Sequence, residues 1–201
     1  IYIFHSCLQK SVLAAAMWGK YSWNQEGYVD TFNPEAIKRF LDYTHEKYKE
    51  AVGDEFGKTV VGVFTDEVCV SSPFDLGEGR IPWSDNFRDE FIKKYGYDIV
   101  DYLYALFAKP ASTDELKARF NFWRLVAELL RRNYIDQAYN WCDKNGLLYT
   151  GHFDGEESLV WHMYQSGDIF ELIENMHVPG IDSIFSRDRV DDENFNIAGK
   201  I

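Results

Sequence analysis

The feature that most constrains the fold is a long amphipathic helix lying between two short apolar runs. Ser112-Thr113-Asp114-Glu115 has the form of a capping box, in which the Ser and Glu side chains satisfy free backbone amides at a helix start. Apolar side chains then recur every three or four residues, and Asn145-Gly146 is typical of a helix end. The stripe consists of Leu116, Phe120, Trp123, Ala127, Leu130, Tyr134, Ala138 and Trp141. This spacing predicts one helix that packs a single face against the rest of the chain.

Runs rich in β-branched and aromatic residues flank this helix. Residues 59–65 and 147–152 are almost continuously apolar, which is typical of strands buried on both faces in a parallel sheet. Residues 178–184 predict a third strand. Residues 33–52 and 166–176 predict further helices, each with an apolar stripe. The alternation of strands and helices therefore predicts an α/β fold with a parallel sheet.

The spacing of the last two predicted strands matches one repeat of an eight-fold barrel. A complete barrel of this kind takes about 250 residues, whereas only three strands are clear here, with room for a fourth before Asp30. We therefore predict a partial (β/α)8 TIM barrel that forms a single domain over residues 1–201. Residues 68–111 lack a single period and predict an insertion of loops, with a short helix at 84–95.

Composition excludes some function classes. The chain has 21 Lys and Arg against 33 Asp and Glu, giving a net charge of −12, and such a surface repels the phosphate backbone of nucleic acids. No apolar run reaches the roughly 20 residues that a membrane span needs. Cys7, Cys69 and Cys142 are too widely spaced for a disulfide framework or a zinc finger. The 17% aromatic content fits an aromatic core as well as a sugar-binding cleft.

Acidic side chains, together with one histidine, follow the predicted strands. The residues concerned are Asp66 and Glu67 after the first strand, His152, Asp154, Glu156 and Glu157 after the second, and Asp182 at the third. The carboxyl ends of parallel strands share one edge of the sheet, and active sites of α/β folds lie there. We therefore predict a functional site at this edge. The alternative is that these acids cap helices or pair with Arg187 and Arg189.

Two chemistries use several converging carboxylates. Glycoside hydrolysis needs one protonated carboxylic acid and a second carboxylate that activates water or attacks carbon. Metal-assisted hydrolysis needs carboxylates and histidines as ligands; His152 and Asp154 could form a pair, but no second histidine follows at a metal-binding spacing. An oxygen-rich calcium site built from Asp66, Asp154 or Asp182 stays open. The sequence contains neither a glycine-rich phosphate loop nor a GxSxG elbow.

A series of short motifs runs in a fixed order over residues 28–185. These motifs are Asn33-Pro34-Glu35, Thr44-His45-Glu46-Lys47-Tyr48, Phe56-Gly57-Lys58-Thr59, Gly62-Val63-Phe64-Thr65-Asp66-Glu67, Ile81-Pro82-Trp83, Lys94-Tyr95-Gly96-Tyr97-Asp98, Gly151-His152, Glu156-Glu157, Gly167-Asp168 and His177-Val178-Pro179-Gly180-Ile181-Asp182. Together they resemble the family 106 glycoside hydrolases, which are the α-L-rhamnosidases and their close relatives.

The resemblance implies a catalytic barrel within a larger multidomain protein, periplasmic or secreted, that cleaves terminal α-L-rhamnosyl or similar residues from glycans with inversion. It implies a carbohydrate substrate and a calcium ion that helps to hold the sugar. By similarity, Glu67 is the expected general acid and Glu156 the expected base or sugar-binding carboxylate. The expected substrate-binding residues are His152, Asp66, Glu157, Asp182 and Trp83, where Trp83 either closes over the sugar or anchors the insertion. Two alternatives remain: a non-catalytic carbohydrate-binding or truncated barrel fragment, and a metal-dependent hydrolase of another substrate.

Overall fold

Helices and short strands alternate along the chain. The structure, a computed structural model, describes residues 2–6, 29–71, 79–156 and 158–182. The helices are α1 (Pro34–Tyr43), α2 (His45–Val52), α3 (Phe87–Tyr95), α4 (Thr113–Leu130), α5 (Asp136–Lys144), α6 (Leu159–Ser166) and α7 (Ile169–Ile173). The strands are β1 (Gly62–Thr65), β2 (Leu148–Gly151) and β3 (Val178–Pro179). Two 3-10 segments cover Gly53–Glu55 and Ile99–Leu106, and a π-helical turn at Arg131–Ile135 joins α4 to α5.

The three strands form one parallel sheet in the order β1-β2-β3. β1 pairs with β2 from Gly62 and Leu148 to Thr65 and Gly151, and β2 pairs with β3 through Thr150 with Val178 and Gly151 with Pro179. All three carboxyl ends therefore lie at one edge, which we call the rim and which comprises residues 66–67, 152–156 and 180–182. The predicted α/β class with a parallel sheet is confirmed, whereas closure into an eight-fold barrel stays a prediction.

Helices cover one face of the described sheet. On that face Tyr149 is 0% exposed and Thr65 is 8% exposed. On the opposite face Phe64 is 60% exposed, and Leu148 and Val178 are each 46% exposed. The prediction that β1 and β2 are buried on both faces is wrong for the described residues. An apolar run shows that a strand suits burial, but neighbouring elements decide whether both faces are covered.

The long predicted helix is present with a π-helical interruption. Ser112 Oγ accepts a hydrogen bond from the Glu115 amide at 3.2 Å, as the capping box predicts. The stripe is buried from Trp123 to Ala138 and Trp141 is partly buried, but Leu116 is 56% exposed and Phe120 is 65% exposed, so the prediction is wrong over the first two turns. There Ala118 and Phe122 face the core instead, because α4 packs against the 3-10 segment at Ile99–Leu106.

The helix predicted over residues 33–52 is broken into two at Thr44. Asn33 caps α1 as predicted, its Oδ1 accepting from the Glu35 amide at 3.0 Å. The Thr44 hydroxyl donates to the Phe40 carbonyl at 2.7 Å, a side-chain bond that competes with the helical ladder. After this break the stripe turns outward, and Tyr48 is 69% exposed.

Residues 79–111 contribute to the main hydrophobic core. Phe87, Phe91 and Ile99 are 0% exposed, and the Phe87 ring lies 5.0 Å from that of Phe122 on α4. Further along the chain, the helix predicted over residues 166–176 is observed as the shorter α7, α6 was not predicted, and β3 is shorter than predicted within the described residues. None of the described helices is long and apolar enough to cross a membrane.

Candidate active site

Three side chains that can carry chemistry meet at the rim. Asp66, Glu67 and His152 each offer one atom that could bind a metal ion, and these atoms lie within 4.8 Å of one another. Asp66 and Glu67 leave β1 directly after Thr65, and His152 leaves β2 directly after Gly151. Pairing of Thr65 with Gly151 sets the two strand ends level, and the His152 amide donates to the Thr65 carbonyl at 3.1 Å. The structure thus brings together three residues that the sequence placed at strand ends.

His152 lies between two carboxylates. Its Nε2 is 3.0 Å from Asp66 Oδ1, and its Nδ1 is 3.2 Å from Glu156 Oε1. Burial lowers the pKa of His152, but the charges of Glu156, Asp66 and Asp182 and the Phe153 carbonyl together outweigh burial and raise the pKa above its ordinary value. An imidazolium donates from both nitrogens. This arrangement therefore favours the protonated ring, which holds the two strand ends together.

The Glu156 side chain is buried within the rim and is only 3% exposed. Its Oε1 accepts from the Phe153 amide at 2.7 Å as well as facing His152. Burial raises the pKa of Glu156 above its ordinary value, although these hydrogen bonds oppose the effect. Glu156 therefore organises the loop after β2 and fixes the orientation of the His152 ring.

Glu67 has an unusual backbone. Its φ is +46°, and among the described residues it is the one non-glycine with positive φ. This conformation costs a side chain-bearing residue roughly 1–2 kcal/mol, and such strain concentrates at functional sites. Glu67 is half-buried, whereas the neighbouring Asp66 side chain is 74% exposed. A carboxylate is thus held at the rim by a residue whose backbone is in an unfavourable conformation.

The other predicted site residues lie differently. Trp83 packs against Phe87 at 5.1 Å between ring centroids and belongs to the margin of the core, which supports the anchoring interpretation. Asp154 is bonded by Gln165 Nε2 at 2.5 Å, and among the described residues it does not join the cluster of Asp66, Glu67 and His152. Glu157, Arg187 and Arg189 lie outside the described residues.

Sequence reasoning missed Phe64. Its ring is 60% exposed and lies 5.8 Å from the His152 ring. The apolar run predicts that Phe64 is buried in a strand covered on both faces. However, Phe64 lies two residues before Asp66, and this spacing places both residues on the same face of the strand. An exposed aromatic ring beside converging carboxylates offers an apolar surface to a sugar ring.

Comparisons with known proteins identify the family. The sequence profile of a family described as alpha-L-rhamnosidase matches residues 22–179. This chain belongs to glycoside hydrolase family 106. The matched residues include Asp66, Glu67, His152 and Glu156, and the resemblance stated from the sequence motifs is confirmed.

Two relatives show how much of a longer protein this chain represents. A rhamnosidase structure from Novosphingobium sp. PP1Y superposes with a TM-score of 0.55 at 23% identity, covering 74% of this chain and 13% of that chain. A protein of Formosa agariphila named "Putative beta-glucuronidase" is 28% identical over 133 residues, which are 63% of this chain and 11% of that relative. The first similarity supports the fold. Both show that the chain spans a small part of the proteins it matches.

Proposed function

We propose that this chain supplies part of the active site of a glycosidase that removes terminal α-L-rhamnosyl residues from glycans. The observation that carries the proposal is the convergence of Asp66, Glu67 and His152 at the rim, within residues that match the α-L-rhamnosidase family. Glycoside hydrolysis needs an acid and a second carboxylate around one sugar. The further domains expected from the sequence fit a chain that spans 11% of its curated relative. The expected carbohydrate substrate fits the matched glycosidase family.

Glu67 is the proposed general acid. It gives its proton to the glycosidic oxygen while the bond from that oxygen to the anomeric carbon breaks, and the electron pair of that bond goes to the leaving alcohol. Water then bonds to the anomeric carbon and loses a proton to a basic group. The half-buried position of Glu67 and its strained backbone support this assignment over Asp66, whose side chain is largely exposed.

Glu156 and His152 are proposed to hold the sugar in place. His152, whose two nitrogens face Asp66 and Glu156, is proposed to act on the sugar by orienting the Asp66 carboxylate, and the exposed ring of Phe64 offers an apolar face. The assignment of Glu156 as the base stays a prediction. Its 3% exposure and its bonds to His152 and the Phe153 amide support a role through His152.

Calcium is proposed as a bound ion on chemical grounds. The carboxylate of Asp66 fits its preference for oxygen donors, whereas both nitrogens of His152 already face carboxylates. The exposed Asp66 carboxylate is the residue proposed to hold the ion, and Asp182 lies at the same rim. When bound, calcium would supply positive charge that binds sugar hydroxyls. The proton chemistry of Glu67 does not depend on it.

Chelation tests the calcium proposal. Dialysis of the full-length protein against a calcium chelator is expected to lower activity on rhamnosides at least tenfold, because a lost cation removes sugar contacts, and added Ca²⁺ is expected to restore it. Restoration by Zn²⁺ and not by Ca²⁺ would contradict calcium and favour a metal-dependent hydrolase. Unchanged activity after complete removal of metal, checked by elemental analysis, would also contradict it.

A panel of aryl glycosides tests the substrate. The full-length protein is expected to hydrolyse aryl α-L-rhamnosides at least 100-fold faster, in kcat/KM, than aryl β-glucuronides. The second substrate is included because of the name of the Formosa agariphila relative. A preference for the glucuronide would overturn the sugar assignment. Binding of rhamnose by calorimetry without turnover of any glycoside would support the non-catalytic alternative.

A further inference from the structure

Gln165, the last residue but one of α6, is 0% exposed and bonds to both loops that carry the candidate site. Its side-chain Nε2 donates to Asp154 Oδ2 at 2.5 Å, and its backbone carbonyl accepts from the Val70 amide at 2.8 Å. Asp154 belongs to residues 152–156 after β2, and Val70 belongs to residues 66–71 after β1. We call these two segments the rim loops.

Further contacts hold each rim loop against α6. The Ser71 hydroxyl donates to the Tyr164 carbonyl. On the other loop, Gly155 has a positive φ of +82° and lies directly against the helix. A Cβ at Gly155 would lie 2.3 Å from Gln165 Oε1 and 2.9 Å from the His162 amide nitrogen. Both rim loops therefore pack on α6 at the position of Gln165.

The helix α6 is itself fixed to the core helix α4. The ring of Tyr164 lies 5.4 Å from that of Trp123, edge to face. Gly167, with a φ of +81°, follows α6 so closely against α4 that a Cβ there would lie 2.7 Å from the Ala127 amide nitrogen. The position of Gln165 is thus set by the core, and the rim loops are held from a rigid element.

The carboxamide of Gln165 is not explained by stability alone. Its Oε1 is buried and has no hydrogen-bond partner among the described residues, and such an oxygen destabilises a folded protein. An ionised carboxylate accepts hydrogen bonds but donates none, so the amide nitrogen must face Asp154 and the oxygen must face away. Methionine has a similar length and would fill the same space without an unpaired oxygen. The donation to Asp154 is the property that only the carboxamide supplies.

We propose that Gln165 is a positioning residue that fixes the two rim loops against each other and so places Glu67 against His152 for catalysis. The inference rests on the proposed function, because Glu67 is the proposed acid. A side chain that only filled the core would affect stability without a separate effect on turnover. One that positions the acid affects kcat more than KM, since misplacing a reacting group by about 1 Å can cost up to about 100-fold in rate.

The test uses Gln165→Met in the full-length protein, with Asn121→Leu as the matched control. Asn121 also carries a buried carboxamide and is 6% exposed, but its Nδ2 donates to the Tyr97 hydroxyl at 2.9 Å, outside both rim loops. Gln165→Met is expected to lower kcat on aryl rhamnosides about tenfold and to leave KM within about twofold. Its thermal unfolding midpoint is expected to fall no further than that of Asn121→Leu, which is expected to retain wild-type kcat.

Two substitutions of Asp154 separate the hydrogen bond from the charge, and they decide the question if Gln165→Met does not fold. Asp154→Asn keeps an oxygen that accepts from Gln165 and is expected to retain kcat within about threefold, whereas Asp154→Ala is expected to lose about tenfold. Combining Asp154→Ala with Gln165→Met is expected to cost no more than either change alone, because both remove one interaction. Equal losses in Asp154→Asn and Asp154→Ala would overturn the proposal.

Crystal structures of the wild-type protein and of Gln165→Met provide a readout that needs no substrate. The distance between Asp66 Oδ1 and His152 Nε2, 3.0 Å here, is expected to exceed about 4 Å in the variant, beyond hydrogen-bonding range. An unchanged rim with unchanged kcat would overturn the role of Gln165, and so would a kcat loss equal to that of Asn121→Leu. A wild-type protein that hydrolyses no glycoside would overturn the proposed function instead, and the two crystal structures would then decide the positioning role by themselves.

Discussion

Replacing Gly151 with alanine is expected to destabilise the sheet by about 3 kcal/mol or more, at the upper end of what overpacking costs. An alanine Cβ at this position would lie 2.1 Å from the Thr65 carbonyl oxygen and 2.9 Å from the Thr65 amide nitrogen. The obstructing atoms belong to the backbone and cannot rotate away. The pairing of Thr65 with Gly151 and the hydrogen bond from His152 to Thr65 would both be lost.

Hydrogen exchange in the full-length protein measures this effect locally. Amide protection over residues 62–65 and 148–152 should fall by about 100-fold or more, since 1.4 kcal/mol corresponds to a factor of ten. The matched control is Gly146→Ala. Gly146 also has a positive φ of +68°, but no atom lies within 4 Å of the position a Cβ would take. Its substitution is expected to cost only roughly 1 kcal/mol of backbone strain. Equal losses of protection in the two variants would contradict the close approach of β1 and β2.

The rim could be predicted from the sequence because its location follows from one geometrical rule for parallel sheets. Strands in a parallel sheet end at one edge, so Asp66, Glu67 and His152 were expected to lie close together, and they do. The starts of helices could also be predicted, because capping depends on residues that are close in sequence. Ser112 and Asn33 cap helices through side-chain bonds that span only two or three residues.

Features that depend on distant neighbours could not be predicted. The sequence shows Glu156 as an acid after a strand, but its 3% exposure depends on the elements that pack around it. The exposure of Phe64 and Leu148 depends on which elements lie over that sheet face. The π-helical turn at Arg131–Ile135 leaves an apolar spacing of four and four residues that a regular helix also allows.

Replacing Glu67 with glutamine is expected to lower kcat by about 1,000-fold on rhamnosides with poor leaving groups, within the 10²–10⁴-fold range of general acid catalysis. Glutamine keeps the size and shape of the side chain but cannot release a proton. Hydrogen-exchange protection should therefore stay unchanged. The matched control is Glu35→Gln, an exposed residue in the first turn of α1, which is expected to retain wild-type kcat. Loss of activity in both variants would show a nonspecific effect.

The most direct test of Glu67 as the acid is whether the loss of kcat in Glu67→Gln depends on the leaving group. The ratio of wild-type kcat to that of Glu67→Gln should be measured for a series of rhamnosides, from dinitrophenyl through nitrophenyl to alkyl. A leaving group of low pKa departs without protonation, so the ratio should rise along the series from about 10 to about 1,000 or more. A ratio that stays constant across the series would contradict the assignment of Glu67 as the general acid.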